Sequence, residues 1–307
     1  MLRRKPAFFV LILLLCINFS GCGAKGSPQP APEPPKKKAF TINSEIPADV
    51  EYVKDVEFGK VGSRSLKMNI IRPRVQSAKP LPVIVWVHGG GWNSGSREDF
   101  IEVFSGFAQV GYLFASIEYR LSTEASFPAQ IEDTKCAIRF LRAKAGDYGI
   151  NPERIGIWGA SAGGYLAAFA GVTGNTGEFE GTGGWSGFSS KVQAVCDWFG
   201  PADFTGSDGE AVNLIELLLG GSPFANRELA RKASVTTYIT GDDPPFFIMH
   251  GDNDTIVPLS QSRILYDTLK GAGVEANLQV VKGAGHGFAG VQDFEAVRDF
   301  FDRHLFK

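Results

Sequence analysis

One serine in this chain has the sequence surroundings that acyl transfer requires. Ser161 is the centre of residues 159–163, Gly-Ala-Ser-Ala-Gly, which directly follow the apolar run 154–158. In a turn from a strand to a helix the serine backbone is strained, and glycine two residues before and after it avoids collisions with neighbouring chain. The pattern predicts that Ser161 is a nucleophile at the top of a sheet, if a base, an acid and oxyanion donors accompany it.

Histidine is the side chain best suited to act as a base at neutral pH, and the chain has four histidines. His286 lies in the glycine-flanked segment 283–288, after the last predicted strand, so its ring can reach over the sheet. We therefore predict that His286 is the base. His88 and His250 each end a predicted strand, and we expect His304 on a solvated face of the last helix.

The acid that orients this base is expected on the loop after the preceding strand, residues 245–250. Asp252 and Asp254 both lie there, and Asp242 is a weaker alternative. We favour Asp254, because it stands shortly before a predicted helix and so lies at the loop tip facing the histidine loop. Asp252 is expected to cap the turn by bonding its own backbone.

A second glycine-rich segment predicts the donors for a developing oxyanion. Residues 88–91 read His-Gly-Gly-Gly at the end of a buried strand. Consecutive glycines let backbone N–H groups approach a substrate oxygen without obstruction by side chains. We predict that the amides of Gly90 and Gly91 act together with the amide of Ala162, at a helix N-terminus.

The elements that must position these residues follow an alternating pattern. Residues 52–58 and 65–72 read as an opening antiparallel pair of strands, and later apolar runs are typical of parallel strands covered on both faces. Helical periodicity lies between them, notably at 128–146, 264–273 and 294–305. The prediction is an α/β fold with a mostly parallel central sheet, helices on both faces and a cap-like insertion at about 200–240. The predicted buried strands are 81–87, 112–117, 154–158, 192–198, 245–249 and 277–281.

These motifs, with residues 118–121, 127–129 and 197–199, resemble the α/β-hydrolases of the hormone-sensitive-lipase-like group. Within that group the chain is most similar to bacterial bifunctional acetylxylan/feruloyl esterases, over residues 45–307. The resemblance implies the triad and the oxyanion donors named above. It also leads us to expect that Glu118, Arg120 and Asp133 form buried structural pairs. Trp92 and Trp198 are expected to flank the pocket, with core packing as an equal alternative.

The leading hypothesis is a serine carboxylesterase that hydrolyses short or aromatic acyl esters, with acetyl and feruloyl groups on xylan as candidate substrates. One alternative is a serine aminopeptidase of the same fold, which usually carries a preceding propeller domain or acidic residues that hold the substrate amine. Another is a surface lipoprotein that binds glycans through a degenerate site. Complete triad positions argue against this last alternative.

Composition narrows the remaining possibilities. Among 307 residues, 31 basic and 33 acidic side chains give a formal charge of −2, and no basic stripe lies outside the N-terminus, so we expect no nucleic-acid partner. No cofactor is implied, and no metal site is expected, since histidines and cysteines are not clustered. Cys136 and Cys196 lie in different predicted elements, so two buried free thiols are favoured over a disulfide.

The N-terminus predicts export. Residues 1–21 have a basic start and a short apolar stretch, which is typical of a signal peptide, and they end before Cys22 in a sequence that resembles the bacterial lipobox. We expect lipidation at Cys22, and simple secretion is the alternative. Residues 22–44 are rich in proline and lysine and read as a tether. The lipid anchor would be the chain's only membrane contact, in the outer membrane or at the cell surface.

Overall fold

A mixed sheet runs through the computed structural model, which describes residues 39–75, 77–206, 212–288 and 290–306. Its strands form because most of them are apolar on both faces, as parallel strands between helix layers must be. The expected antiparallel opening pair is present, and the structure extends it at both ends. In chain order the strands are β1 (Val50–Val61), β2 (Arg64–Pro73), β3 (Leu81–Val87), β4 (Leu113–Ile117), β5 (Ile150–Ala160), β6 (Ala194–Trp198), β7 (Phe246–Gly251) and β8 (Ala276–Val281).

The strand order is β1-β2-β4-β3-β5-β6-β7-β8. β2 pairs antiparallel with β1 and with β4, and all later neighbours are parallel. The register places Gly159 of β5 opposite Val87 of β3 and Asp197 of β6. The carboxyl ends of these parallel strands therefore meet at one edge, where α/β folds hold their ligands.

Helices cover both faces of the sheet, and alternate residues of β3 show the division. Val83 and Val85 belong to an apolar cluster that includes the helices at 129–143, 162–173 and 259–271, whereas Ile84 packs in a second cluster with the helices at 101–109 and 291–305. The predicted α/β class, with a mostly parallel sheet and helices on both faces, is confirmed. The helices are α1 (Ile101–Gln109), α2 (Ala129–Ala143), α3 (Ala145–Tyr148), α4 (Ala162–Thr173), α5 (Val212–Leu219), α6 (Arg227–Lys232), α7 (Leu259–Gly271) and α8 (Val291–Leu305).

The predicted cap-like insertion, about 200–240, contains α5, α6 and a short 3-10 helix at Val235–Thr237. Residues 207–211 within it lie outside the described part. Helix α5 packs onto the glycine-rich segment after β3, because a Leu214 methyl lies where a side chain on Gly91 would be. The carbonyl of Leu218 also accepts a hydrogen bond from the Phe127 amide at 2.8 Å. The insertion is thus in contact with the loops that line the sheet edge.

The packed part of the chain begins before the predicted boundary at residue 45. Phe40 is 5% exposed and stacks edge-on against Phe107 of α1 at 4.8 Å between ring centroids. Asn43 donates to Ser105 Oγ at 2.8 Å. Residues 39–44 therefore belong to the folded domain rather than to a tether. The predicted signal peptide, Cys22 and the rest of the tether lie outside the described residues.

The two cysteines of the folded part are free and buried, which confirms that prediction. Burial raises the pKa of the Cys136 thiol to about 11 and that of Cys196 well above its usual value. Neither thiol is therefore a reactive thiolate at neutral pH. In the described ranges, every helix falls short of the length and apolar character that a membrane span requires.

Candidate active site

The turn between β5 and α4 holds Ser161 in a conformation that few residues adopt. Its backbone angles are φ 56° and ψ −121°, in the region where a side chain normally meets the adjacent backbone. The Ser161 amide donates to the Trp198 carbonyl at 2.8 Å, and α4 begins at the next residue. The serine therefore stands at the carboxyl edge of the sheet, where the pattern predicted it.

The two glycines of this turn are required by close approach of backbone. A Cβ on Gly159 would lie 2.1 Å from the Gly163 carbonyl oxygen, and one on Gly163 would lie 2.0 Å from the Val87 carbonyl oxygen. Both distances are far inside van der Waals contact. Because the obstructing atoms are backbone, no side-chain movement could relieve them.

His286 and Asp254 complete a hydrogen-bonded chain with this serine. Ser161 Oγ lies 2.9 Å from His286 Nε2, and His286 Nδ1 lies 2.7 Å from Asp254 Oδ2. These distances allow the hydroxyl to donate to Nε2 while Nδ1–H donates to the carboxylate, which is the proton path of a catalytic triad. The structure thus brings together all three residues that the sequence singled out.

The Asp254 carboxylate is buried and held by several donors. Burial alone would raise the pKa of Asp254, but hydrogen bonds from His250 and His286 outweigh it and lower this pKa far below the usual range for aspartate. The amides of Ile256 and Val257 also donate to Oδ1, at 2.9 and 3.0 Å. Asp254 is therefore ionised at neutral pH and fixed in orientation.

The glycine-rich segment after β3 lies beside Ser161. Gly89 and Gly90 line the cavity in front of the serine, whereas Gly91 is buried behind them under α5. The Gly90 carbonyl accepts from the Ser94 amide at 3.0 Å, so the Gly91 N–H in the same peptide plane points the opposite way. The geometry is compatible with oxyanion donation, and the roles of Gly90, Gly91 and Ala162 stay predictions.

His88 orders this segment. Its buried ring stacks on Tyr119 at 4.3 Å, and its Nδ1 lies 2.8 Å from the Gly89 carbonyl oxygen. Burial lowers the pKa of His88, so the ring is neutral and donates through Nδ1–H to that oxygen. This bond orients the peptide whose other end is the Gly90 amide.

A family model described as BD-FAE matches residues 68–269, a range that contains Ser161 and Asp254. The match covers well over half of the chain. The chain belongs to the BD-FAE family. His286 lies beyond the matched residues. In this chain it joins the site through its hydrogen bonds with Asp254 and Ser161.

Sequence relatives of the BD-FAE chain have names that denote ester hydrolysis. It is 32% identical over 229 residues to the "Probable carboxylic ester hydrolase LipM" of Mycobacterium tuberculosis, a match that covers 72% of this chain and 52% of LipM. The chain spans about half the length of the curated relatives that it matches first.

Solved structures have the same fold. A truncated carbohydrate esterase from gut microbiota superimposes with a TM-score of 0.74 at 31% identity, and the match covers 89% of this chain and all of that structure. A bifunctional GH43-CE protein from Bacteroides eggerthii gives a TM-score of 0.75 at 33% identity, covering 82% of this chain and 38% of the other. The BD-FAE chain therefore has the α/β-hydrolase fold.

The cavity in front of Ser161 has a volume of about 550 Å³ and is walled largely by aromatic rings. Polar side chains besides the triad are few there, and Asp99 is the acidic one among the described lining residues. A cavity of this size accepts a small organic group. The aromatic lining residues are Trp86, Phe100, Phe104, Trp198, Phe199, Phe288 and Phe294.

Only one of the two predicted tryptophans lines this cavity. Trp198 is on its wall, and its ring also contacts Phe288 at 4.8 Å. Trp92 is 2% exposed and packs edge-on against Tyr165 and Phe204 in the core, so the expectation that it flanks the pocket is wrong. Its backbone φ of 60° turns the ring inward, which the sequence around it does not reveal.

Several aromatic residues of the cavity wall were not predicted. Trp86 precedes the glycine-rich segment by two residues, and Phe288 follows His286 by two. That proximity to the triad motifs was the available signal for these two. Phe104 and Phe294 lie on α1 and α8, far from any motif, so only the fold brings them to the site.

Arg120 and Asp133 form a buried structural pair as expected, whereas Glu118 forms more exposed pairs with two other arginines. Arg120 binds Asp133 through Nη2 and Oδ1 at 2.8 Å, and Asp133 is 1% exposed. Glu118 binds Arg64 at 2.7 Å and also Arg97, rather than Arg120. These pairs are structural: Glu118 joins the segment after β4 to β2 and to the loop that holds Arg97, and Arg120 joins the same segment to α2.

Two smaller expectations need correction. Asp252 accepts a hydrogen bond from the Gly283 amide at 2.6 Å. It therefore links the loop that holds Asp254 to the loop that holds His286, instead of capping its own turn. His304 has a side chain only 9% exposed, beside Glu275 and the Phe300 ring, because α8 turns it toward the sheet edge rather than to solvent.

Proposed function

We propose that this chain is a serine carboxylesterase. The observation that carries the proposal is the hydrogen-bonded chain of Ser161, His286 and Asp254 beside an aromatic cavity. Ser161 Oγ lies 2.9 Å from His286 Nε2, and His286 Nδ1 lies 2.7 Å from Asp254 Oδ2. Membership of the BD-FAE family and the esterase names of relatives support the same reaction.

The proposed reaction has two halves, acylation and deacylation. Ser161 Oγ attacks the ester carbonyl carbon while His286 Nε2 accepts its proton, and the carbonyl oxygen becomes an oxyanion facing the amides of Gly90, Gly91 and Ala162. The tetrahedral intermediate expels the alcohol, which takes the proton from His286. Water then attacks the acyl-enzyme with His286 as base, releasing the acid and restoring Ser161.

The substrate that we propose is a sugar or polysaccharide ester of a short or aromatic acid. Acetyl and feruloyl groups on xylan are the candidates, and the aromatic walls of the cavity suit a planar acyl group as well as a small one. The name of one solved relative, a carbohydrate esterase from gut microbiota, supports a sugar on the alcohol side.

The test of this function uses Ser161→Ala. We expect hydrolysis of 4-nitrophenyl acetate and of acetylated and feruloylated xylan by the wild type, and loss of at least a thousandfold in kcat in the variant, the order expected when the nucleophile is removed. Unchanged thermal unfolding would show that the variant is folded. Residual turnover near the wild-type rate would refute the mechanism.

Two competing functions give different results in the same assays. An aminopeptidase would cleave peptide substrates faster than esters, and the cavity offers only Asp99 among its described lining residues to hold a substrate amine. A glycan-binding protein without catalysis would not react with a fluorophosphonate probe. We expect covalent labelling of Ser161 and ester turnover well above peptide turnover.

We also propose that the protein is exported and lipidated at Cys22. A basic start, a short apolar stretch and a lipobox-like sequence support this proposal. The test is incorporation of labelled palmitate in a bacterial host. Incorporation by the wild type and none by Cys22→Ala is expected, and equal incorporation by both would contradict lipidation at this residue.

A further inference from the structure

His250 is a second histidine in contact with the Asp254 carboxylate. It lies in β7 and its side chain is fully buried. Its Nε2 is 2.8 Å from the Val257 carbonyl oxygen and 3.1 Å from Asp254 Oδ2, and its Nδ1 is 2.7 Å from Ser262 Oγ. The ring thereby joins the strand, the acid loop and helix α7.

The neighbours of the ring determine where its hydrogen lies. Both groups facing Nε2 are acceptors, so a bare lone pair there would face two electron-rich oxygens. Nε2 must therefore carry a hydrogen, which the carbonyl of Val257 and the carboxylate of Asp254 share. The Ser262 hydroxyl can donate to Nδ1, so both nitrogens of the ring have hydrogen-bond partners.

We propose that His250 is a positioning residue for the acyl transfer, acting through Asp254. His250 Nε2 lies 3.1 Å from Oδ2, which also accepts from His286 Nδ1 at 2.7 Å, while two backbone amides donate to Oδ1. These four nitrogen groups hold the carboxylate in a single orientation, in which Oδ2 faces His286. The proposal rests on the proposed function, because it assigns a part in that reaction.

The role differs from ordinary core packing because His250 also takes a share of the negative charge of Asp254. Without its donor, that charge would concentrate on the bond to His286 and stabilise the imidazolium form of the base. Three titratable groups face His250 or its partner: Asp254, His286 beyond it, and Asp197 on the neighbouring strand β6, whose carboxyl interacts electrostatically with His250. From α7 the facing group is the neutral Ser262.

The test compares His250→Leu with His250→Gln, whose amide nitrogen can replace Nε2 as a donor. We expect His250→Leu to lower kcat by roughly tenfold to hundredfold with little change in KM, the rate equivalent of one hydrogen bond to a charged group. The acidic limb of kcat/KM against pH should move to higher pH, and His250→Gln should regain most of kcat. His304→Leu is the matched control and should leave both readouts unchanged.

A purely structural role predicts a different outcome. If kcat of His250→Leu falls only in proportion to lost folded protein, with an unmoved pH profile and no recovery in His250→Gln, the proposal is wrong. Should His250→Leu fail to fold, Ser262→Ala replaces it. That variant removes the hydrogen bond to Nδ1 of His250 without removing Nε2–H. It should lower kcat a few-fold and move the acidic limb of kcat/KM to higher pH. A wild-type kcat and profile in Ser262→Ala would overturn the proposal.

Nitrogen-15 NMR of histidine-labelled wild-type protein tests the contact without any substrate. We expect His250 protonated at Nε2, and we expect the His286 Nδ1–H proton resonance to move downfield in the histidine variant that folds or in Ser262→Ala. A His250 protonated only at Nδ1 would overturn the proposal. Because this measurement needs no turnover, an inactive wild type would refute the proposed function, and the spectrum would still decide whether His250 faces Asp254 with a protonated Nε2.

Discussion

At the residue scale, burial and hydrogen-bond donors shift the pKa values of two aspartates near the site in opposite directions. Asp254 is buried but receives hydrogen bonds on both oxygens, so its pKa is lowered. Asp197 lies deeper in the core and accepts from the Gly200 amide on one oxygen, at 2.9 Å, so burial dominates and raises its pKa to about 6. Burial and the number of donors together therefore shift the pKa values of the two carboxyls in opposite directions.

Asp254→Asn tests the first of these aspartates. An amide at this position removes the charge and offers the wrong hydrogen to His286, which favours the wrong imidazole tautomer. We expect kcat to fall by on the order of 10⁴ with little change in thermal unfolding near neutral pH. Asp252→Asn is the matched control, because it lies on the same loop but contacts only the histidine-loop backbone. A loss in the control as large as that in Asp254→Asn would contradict the assignment of the acid.

Asp197→Asn tests the second aspartate through stability. With its pKa raised to about 6, the folded state holds more protons than the unfolded chain between about pH 4 and pH 6, so stability falls as pH rises through that window. The variant should therefore be more stable than wild type at pH 8, by up to about 3 kcal/mol, and equal to it near pH 4. Urea unfolding at both pH values measures this. The exposed Asp267→Asn should show no such pH-dependent gain.

At the scale of elements, the cap helix α5 and the glycine-rich segment after β3 constrain each other. Gly91 has a φ of 59°, and a Cβ there would lie 2.6 Å from a Leu214 methyl. Gly90 has a φ of 106°, and a Cβ there would lie 2.4 Å from the Ser94 carbonyl oxygen. The first obstruction is a flexible side-chain end and the second is backbone, so the two glycines differ in what a substitution must displace.

This difference gives a prediction at the same scale. Gly90→Ala should cost more kcat and more stability than Gly91→Ala, because backbone cannot move aside. Leu214→Ala should restore part of the loss in Gly91→Ala and none in Gly90→Ala. Kinetics and thermal unfolding of the double variants measure both effects. Equal rescue of the two glycine variants would show that α5 does not press on Gly91.

At the scale of the whole molecule, the folded domain begins at or before Phe40. Removal of residues 1–38 should leave the melting temperature and kcat/KM unchanged. Removal of residues 1–44 takes away the Phe40 ring between α1 and α8 and the Asn43 bond to Ser105. We expect this longer truncation to lower stability by about 2–4 kcal/mol, the usual range for loss of a buried aromatic side chain, measured by urea unfolding. If both truncated proteins had identical stability, the folded domain would begin after residue 44.

The fold was predictable where local pattern and final environment agree. β3 has the predicted bounds because an unbroken apolar run suits a strand covered on both faces. Helix α1 was missed for the opposite reason. It contains a glycine, begins after Phe100 in a left-handed conformation without a side-chain cap, and is held by Phe104 and Phe107 packed against the sheet. Tertiary packing rather than local propensity stabilises it.

The sequence alone determined that Ser161, Asp254 and His286 meet, since strand-loop order and glycine spacing restrict which loops meet at the carboxyl ends of the strands, and their roles as a triad stay a proposal. Only the tertiary structure decided that Trp92 faces the core, that Trp198 faces the cavity, and that His250 contacts the acid. Local sequence specifies where the backbone turns. The direction of a side chain and its partner depend on packing between elements distant in the chain, which no short pattern records.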